Sequence, residues 1–148
     1  MPETADRNDP YASFNFVVTI GGFKVAGFSE VSGLDLTTDP IEYRNGDEDN
    51  TVRKLPGLKK FSNITLKRGY TQSKDLWNWR KQVMDGKTER QSGSILLKDE
   101  SHTPVMRWNF RFGWPTKWTG PSFNAKNNEV AIETLEIAVE SVEVEFLG

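Results

Sequence analysis

Alternation of apolar and polar residues with period two recurs through almost every patterned segment of this chain, and always in short pieces. Period two sends successive side chains to opposite faces of an extended strand. A chain patterned this way must therefore build sheets that bury one face. No apolar run exceeds three residues, so no segment reads as a membrane-spanning helix or as the core of a signal peptide.

The pattern can be followed from end to end. In FNFVVTIGGFKV, Phe14, Phe16, Val18 and Ile20 alternate, Gly21-Gly22 follows, and Phe23 and Val25 resume, which predicts a hairpin. Leu34, Leu36, Ile41 and Tyr43 mark the next strand, with Asp35 and Thr37 on the other side and Pro40 implying a bulge or an edge. GDEDNTVRKLPGLKK, Gly46 to Lys60, has neither strand alternation nor a helical stripe and reads as a long charged loop. FSNITLKRGY returns to a strand through Phe61, Ile64 and Leu66.

The period then changes. SKDLWNWRKQVMDG sets Leu76, Trp79 or Arg80, and Val83 on one helical face, predicting a helix over about residues 73–85. Ser73 suits its N-cap, Asp75 its first turn and Gly86 its C-terminal cap. Strands resume with SGSILLKDE and VMRWNFRFGW, joined by a turn at SHTP. In the second of these, Trp108, Phe110 and Phe112 share a face and, with Trp79, are the expected core aromatics. PTKWTGPSFNAKNN is turn-rich. In EVAIETLEIAVESVEVEF the apolar parity slips near Thr134 and near Ser141, predicting bulges or a bend at both places. The expected fold is mainly β, an antiparallel barrel or sandwich with one flanking helix. It follows a short polar arm, residues 1–13, and occupies residues 14–148 as a single domain.

Chemistry finds little purchase. The 148 residues include no cysteine and one histidine, His102 in a turn, so no zinc or iron site can be assembled; a Ser-His-acid triad would have to use His102, near which nothing resembles a nucleophile elbow, and no catalytic, cofactor or metal residue is assigned. Gly86-Lys87-Thr88 imitates the end of a phosphate loop, but Lys81 stands where that loop needs glycine, and the segment follows a helix instead of preceding one. The acids of GDEDN lack the spacing of a calcium loop. The net charge of −2 offers no electrostatic footprint for nucleic acid. One binding alternative is a monomeric β-barrel module that stacks single-stranded nucleic acid on Trp108, Phe110 and Trp118.

A series of segments resembles the tail tube proteins of contractile phages and of phage-tail-like, extracellular contractile injection systems. These are GFKVAGFSEVSGLDLTTDPIEYRNG, VRKLPGLKKFSNITLKRGYT, LWNWRKQVMDGK, GSILLKDESHTPVMRWNFRFGWPTKWTGP and NEVAIETLEIAVESVEVE. Together they span nearly everything from Phe14 to Glu145. Where many relatives carry a histidine near the C-terminus, this chain reads EIAVESV, Glu136 to Val142.

The resemblance implies a small β barrel, related in architecture to the type VI secretion tube protein. Its copies form hexameric rings that stack into a hollow inner tube for DNA or effector passage, without catalysis or cofactors. The implied partners are further copies of the chain, a surrounding sheath protein, baseplate or spike and tube-terminating proteins at the ends, and cargo in the lumen; the chain itself enters no membrane. Assembly in the bacterial cytoplasm is implied, as part of a phage tail or of a particle that can be released. By position, Gly46 to Lys60 matches the segment that reaches neighbouring subunits and the adjoining ring. Its acids Asp47, Glu48 and Asp49, its bases Arg53, Lys54, Lys59 and Lys60, and its apolar anchors Leu55, Pro56 and Leu58 are the expected docking residues. Acids first and bases later suit a head-to-tail contact between unlike surfaces. A water-filled channel needs a wet sheet face, for which Asp35, Thr37, Glu133 and Glu136 are the candidates.

Overall fold

The computed structural model describes residues 15–21, 23–25, 27–43, 46, 52–69, 73–123, 125–126 and 130–148. Its elements are β1 (Phe16–Ile20), β2 (Phe23–Val25), β3 (Phe28–Ser32), β4 (Leu36–Tyr43), β5 (Arg53–Phe61), β6 (Ile64–Gly69), α1 (Asp75–Met84), β7 (Gln91–Lys98), β8 (Pro104–Thr119), β9 (Ile132–Ala138) and β10 (Ser141–Phe146). Every pairing is antiparallel.

The main sheet has eight strands in the order β2-β1-β7-β8-β9-β6-β3, with β10 also on β8. The long strand β8 organises it. Met106 to Phe110 pair with β7 on one side and with β10 on the other, whereas Trp114 to Thr119 pair with β9. Between the two stretches the β7 register slips, because Gln91 faces Gly113 while Gly93 faces Phe110. That places one extra residue on β8, a bulge that bends the strand. The two halves of the sheet thereby fold over one another. Val18, Ile20, Ile95 and Phe110 from one half and Ile64, Leu66, Leu135 and Ile137 from the other meet in one buried cluster, joined by Leu76 and Trp79 of α1.

The bulge corrects one reading of the sequence. Trp79 and Phe110 are buried and Trp108 packs against the core, but Phe112 is 51% exposed. It sits at the bulge with φ of 54°, in the left-handed region, so uninterrupted alternation does not hold past Phe110. The strand also continues through PTKWT, which was expected to be turn; Pro115 is accommodated beside a second register shift, between Pro115 and Lys117.

The C-terminal segment behaves differently at its two suspected breaks. The β9–β6 ladder runs without a slip from Ile132 to Ile137. No bulge is needed at Thr134, because Glu133 occupies the core parity beside Leu135 and Ile137 while Ile132 faces outward, 42% exposed. At Val139–Glu140 the strand does end, and β10 begins on a new partner stretch of β8.

The helix is slightly shorter than its pattern suggests. Lys74, not Ser73, holds the N-cap position, with no side-chain cap bond. At the other end Gly86 N donates to Val83 O at 3.1 Å and Lys87 N to Gln82 O at 2.8 Å, the paired bonds of a Schellman cap. Leu76 and Trp79 point inward, and the indole Nε1 of Trp79 donates to Glu89 O at 2.9 Å.

Candidate assembly surface

The long charged segment is not a loop along most of its length. Arg53–Phe61 forms β5 and pairs with β4 as a separate two-stranded hairpin. Sequence pattern could not reveal it, since alternation marks a strand only when one face is buried, and this hairpin is exposed on both. Asp47, Glu48 and Asp49 lie outside the described residues. A two-stranded hairpin on its own is marginally stable in water, so its presence beside the main sheet calls for a partner.

Its surface is mixed by design of the register. Ile41 lies opposite Leu55 and Tyr43 opposite Arg53, which puts three large side chains on one face, each at least 46% exposed. Leu58 is 76% exposed. Pro40 opposite Pro56 and Glu42 opposite Lys54 occupy the other face. Lys60 Nζ pairs with Asp39 Oδ2 at 2.8 Å. The implied bulge near Pro40 is present, as a register shift between Thr38 and Pro40, with the extra residue on β5. At that bulge Gly57 is enclosed: a Cβ there would stand 2.6 Å from Asp39 O and 2.9 Å from the Ile41 side chain.

A tight joint attaches the hairpin to the body. The β3–β6 ladder ends at Ser32 opposite Thr65, and the β4–β5 ladder starts at Leu36 opposite Phe61. Between them the Ser62 hydroxyl donates to Gly33 O at 2.7 Å, and Ser62 N donates to Asp35 O at 3.3 Å. Gly33 has φ of 90° there, and a Cβ would overlap the carbonyl of Asn63. Asp35 is thus part of the joint, and Thr37 is an exposed residue at the hairpin base, opposite Lys60.

The outward face of the β3–β6–β9 region is the structure's wet sheet face. Glu30 pairs with Lys67 at 3.3 Å, and Ser32, Thr65, Thr134 and Glu136 share that side by register. Glu136 accepts a 2.9 Å bond from Asn63 Nδ2. Glu133 does not belong there. Three residues from Glu136 in one unbroken strand, it must face the opposite way, and it is only 3% exposed.

What Glu133 does instead was missed from the sequence. Arg68, 2% exposed, donates through Nε to Glu133 Oε1 and through Nη2 to Asp75 Oδ1 at 2.6 Å. Trp118 Nε1 donates to the other Glu133 oxygen at 3.0 Å, and Trp118 meets Trp77 of α1 edge-on at 5.0 Å. The Phe28 ring lies 5.7 Å from the guanidinium carbon. This network joins β6, β9, β8 and the first turn of α1. Burial pushes the Asp75 carboxyl up, but hydrogen bonds from Arg68, Ser73 and the Leu76 amide, with the guanidinium charge, outweigh it and hold the group below its ordinary value. Burial opposes the charge on Arg68 too, and its bonds to Asp75 and Glu133 more than offset this. Parity carried the missing signal, since Arg68 follows Ile64 and Leu66 at spacing two and Glu133 precedes Leu135 and Ile137 likewise.

Among the described residues no group of three or more His, Asp or Glu side chains is placed to hold a metal ion. Nor do the aromatics form a stacking platform. Phe110 is buried, Trp108 and Trp118 pack on the core, and the indole of Trp118 is committed to Glu133. No helix among the described residues is long and apolar enough to cross a membrane.

A family model described as T4-like virus tail tube protein gp19 matches residues 12–143. Among solved structures, the chain is similar to one from the extended-state sheath–tube complex of an extracellular contractile injection system, PVC. The two are 31% identical with a TM-score of 0.86, over 98% of this chain and 97% of that one. It is equally similar to a chain of the anti-feeding prophage cap, an AFP tube terminating cap, at 32% identity and TM-score 0.86 over 99% and 100%. Hcp1 from Flavobacterium johnsoniae shares the fold at 17% identity, with TM-score 0.57 over 88% and 94%. No curated protein matches the chain.

Proposed function

The chain belongs to the T4-like virus tail tube protein gp19 family, and from this membership we infer that it is the structural subunit of the inner tube of a contractile injection particle, stacked as hexameric rings. The observation that carries the reading is the β4–β5 hairpin, an element with apolar side chains on its surface and no sheet of its own to join. Such a patch on a soluble domain marks an interface. Here it reaches other copies of the chain, through Leu55, Pro56 and Leu58 flanked by Arg53, Lys54, Lys59 and Lys60.

The polar face carrying Thr65, Lys67, Thr134 and Glu136 is the side turned to the channel, because a water-filled lumen requires a sheet wet on one side and packed on the other. Asp35 and Thr37, at the hairpin base, border that wall. Ring closure also removes exposed strand edges, a hazard for any open sheet. A sheath surrounds the tube, and initiating and terminating proteins close its ends; the sheath–tube and cap relatives support these partners. Residues 14–148 act as one domain, catalyse nothing, assemble in the cytoplasm of a bacterium and leave it within the particle.

Negative-stain electron microscopy of the purified protein over a concentration series tests this. Six-fold rings or hollow stacks are expected. A protein that stays monomeric at every concentration, and also when co-expressed with its sheath, would overturn the reading.

A further inference from the structure

The wet face can be followed row by row across β3, β6, β9 and the second half of β8. One row runs Glu30, Lys67, Thr134, Thr119, and the next runs Ser32, Thr65, Glu136, Lys117. The residues between the rows fix the parity. Leu66 and Leu135 are buried, and Val31 and Trp118 pack against the core, so both rows face away from it. Each row therefore holds one acid, one base and two hydroxyls.

Charge closes within each row. Lys67 Nζ lies 3.3 Å from Glu30 Oε2, and Lys117 stands on the strand beside Glu136. Neighbouring strands are about 4.8 Å apart and successive rows about 7 Å apart, both inside the Debye length of about 8 Å at physiological salt. Each acid thus meets a base before solvent ions screen it, and the face presents no net sign to the space in front of it. Exposed pairs of this kind add little to stability. Their consequence lies in the field. Rings of one sign make a pore selective for charge, and a wall of one sign concentrates the opposite sign in front of it. Copies repeating Glu30 and Glu136 without their lysines would build such a wall.

We propose that Lys67 and Lys117 set the charge selectivity of the channel: by balancing Glu30 and Glu136 row by row, they leave a hydroxyl-lined wall that admits charged cargo of either sign alike. This rests on the tube reading and adds the chemistry of its lumen. The balance lies within one copy, so it holds whatever rotation relates neighbouring copies.

The absence of cysteine lets one label be placed on this wall. Thr65→Cys and Thr134→Cys, one in each row, are coupled separately to a neutral fluorophore, mixed as a minority into unlabelled protein and assembled. Quenching by iodide, by thallous ion and by neutral acrylamide is then measured at low and high salt. The iodide-to-thallous ratio, each rate taken relative to acrylamide, is expected to stay within about threefold of the free dye's and to change little with salt. Lys67→Thr with Lys117→Thr should shift that ratio against iodide by about tenfold or more at low salt, and the shift should relax at high salt. Glu30→Gln with Glu136→Gln should shift it the opposite way. Each double variant reports by itself, so failure of one to assemble leaves the other to decide.

A tenfold bias without the charge substitutions would overturn the proposal and leave the tube intact. So would double variants that assemble with the ratio unmoved, or failure of both to assemble, which would assign the four charges to assembly instead. Absence of hollow tubes from the unsubstituted protein would overturn the tube reading itself, and this proposal with it.

Discussion

Arg68 shows how much one side chain can hold. Its guanidinium bridges Glu133, on a strand 65 residues away, to Asp75 at the start of the helix that follows β6. Removing one member of a buried pair strands the other charge in a poor solvent, at a cost of about 3–5 kcal/mol. Arg68→Met should therefore lower unfolding stability by about that much in a denaturant titration, whereas Arg68→Met with Glu133→Leu should recover most of the loss. A double variant as unstable as the single would show that packing, not the stranded carboxylate, is at fault. Asp75 adds a pH dependence of definite sign. Its folded value is depressed, so its contribution is complete above the unfolded value of about 3.9 and is lost as pH falls through the lower folded one. The side chain is 35% exposed, and solvent screening limits the effect to about 1 kcal/mol or less. Asp75→Asn should lower stability at pH 6 and flatten the acid limb below pH ~4; an unchanged limb would remove Asp75 from the account.

Among the elements, the β4–β5 hairpin and α1 are opposites. The helix was legible because it buries one face, leaving Leu76, Trp79 and Val83 at helical spacing. The hairpin was half hidden because burial writes alternation into a sequence, and among the described residues neither of its faces is buried. Its integrity depends on Gly57, where the strands approach too closely for a side chain. Gly57→Val should disrupt the bulge and abolish ring formation by microscopy, while the thermal unfolding midpoint of the monomer moves by no more than a few degrees, since of the hairpin's strands only Phe61, at its base, packs against the buried cluster. A large fall in the midpoint would mean that the hairpin belongs to the cooperative body. Strand β8 is the third instructive element. A single extra residue at Arg111–Phe112 turns the strand from one half of the sheet to the other and expels Phe112.

At the scale of the whole molecule, unlike surfaces on one chain make open-ended assembly possible. Strand β5 gathers Arg53, Lys54, Lys59 and Lys60 on one exposed element, and attraction of such charges to another surface is weakened by salt. Changing Arg53, Lys54, Lys59 and Lys60 together to glutamate should block rings or their stacking while the monomer keeps its circular dichroism spectrum, although the Lys60–Asp39 pair within the hairpin is lost as well. Tubes of normal yield from that variant would show that these four charges play no part in docking.

Read alone, the residues determined the antiparallel class, the Gly-Gly hairpin, the helix, the break after β9 and the family, because each leaves a local mark. Half-burial writes period two, a helix writes its stripe, and a series of specific motifs survives in order. Tertiary structure alone decided that Arg68 and Glu133 are interior, that Phe112 is not, and that Arg53 to Phe61 is a strand. An ion pair between strands distant in sequence, a bulge in a long strand and a hairpin exposed on both faces share one property. Their energetics lie in contacts between segments, and no window along the chain contains both partners.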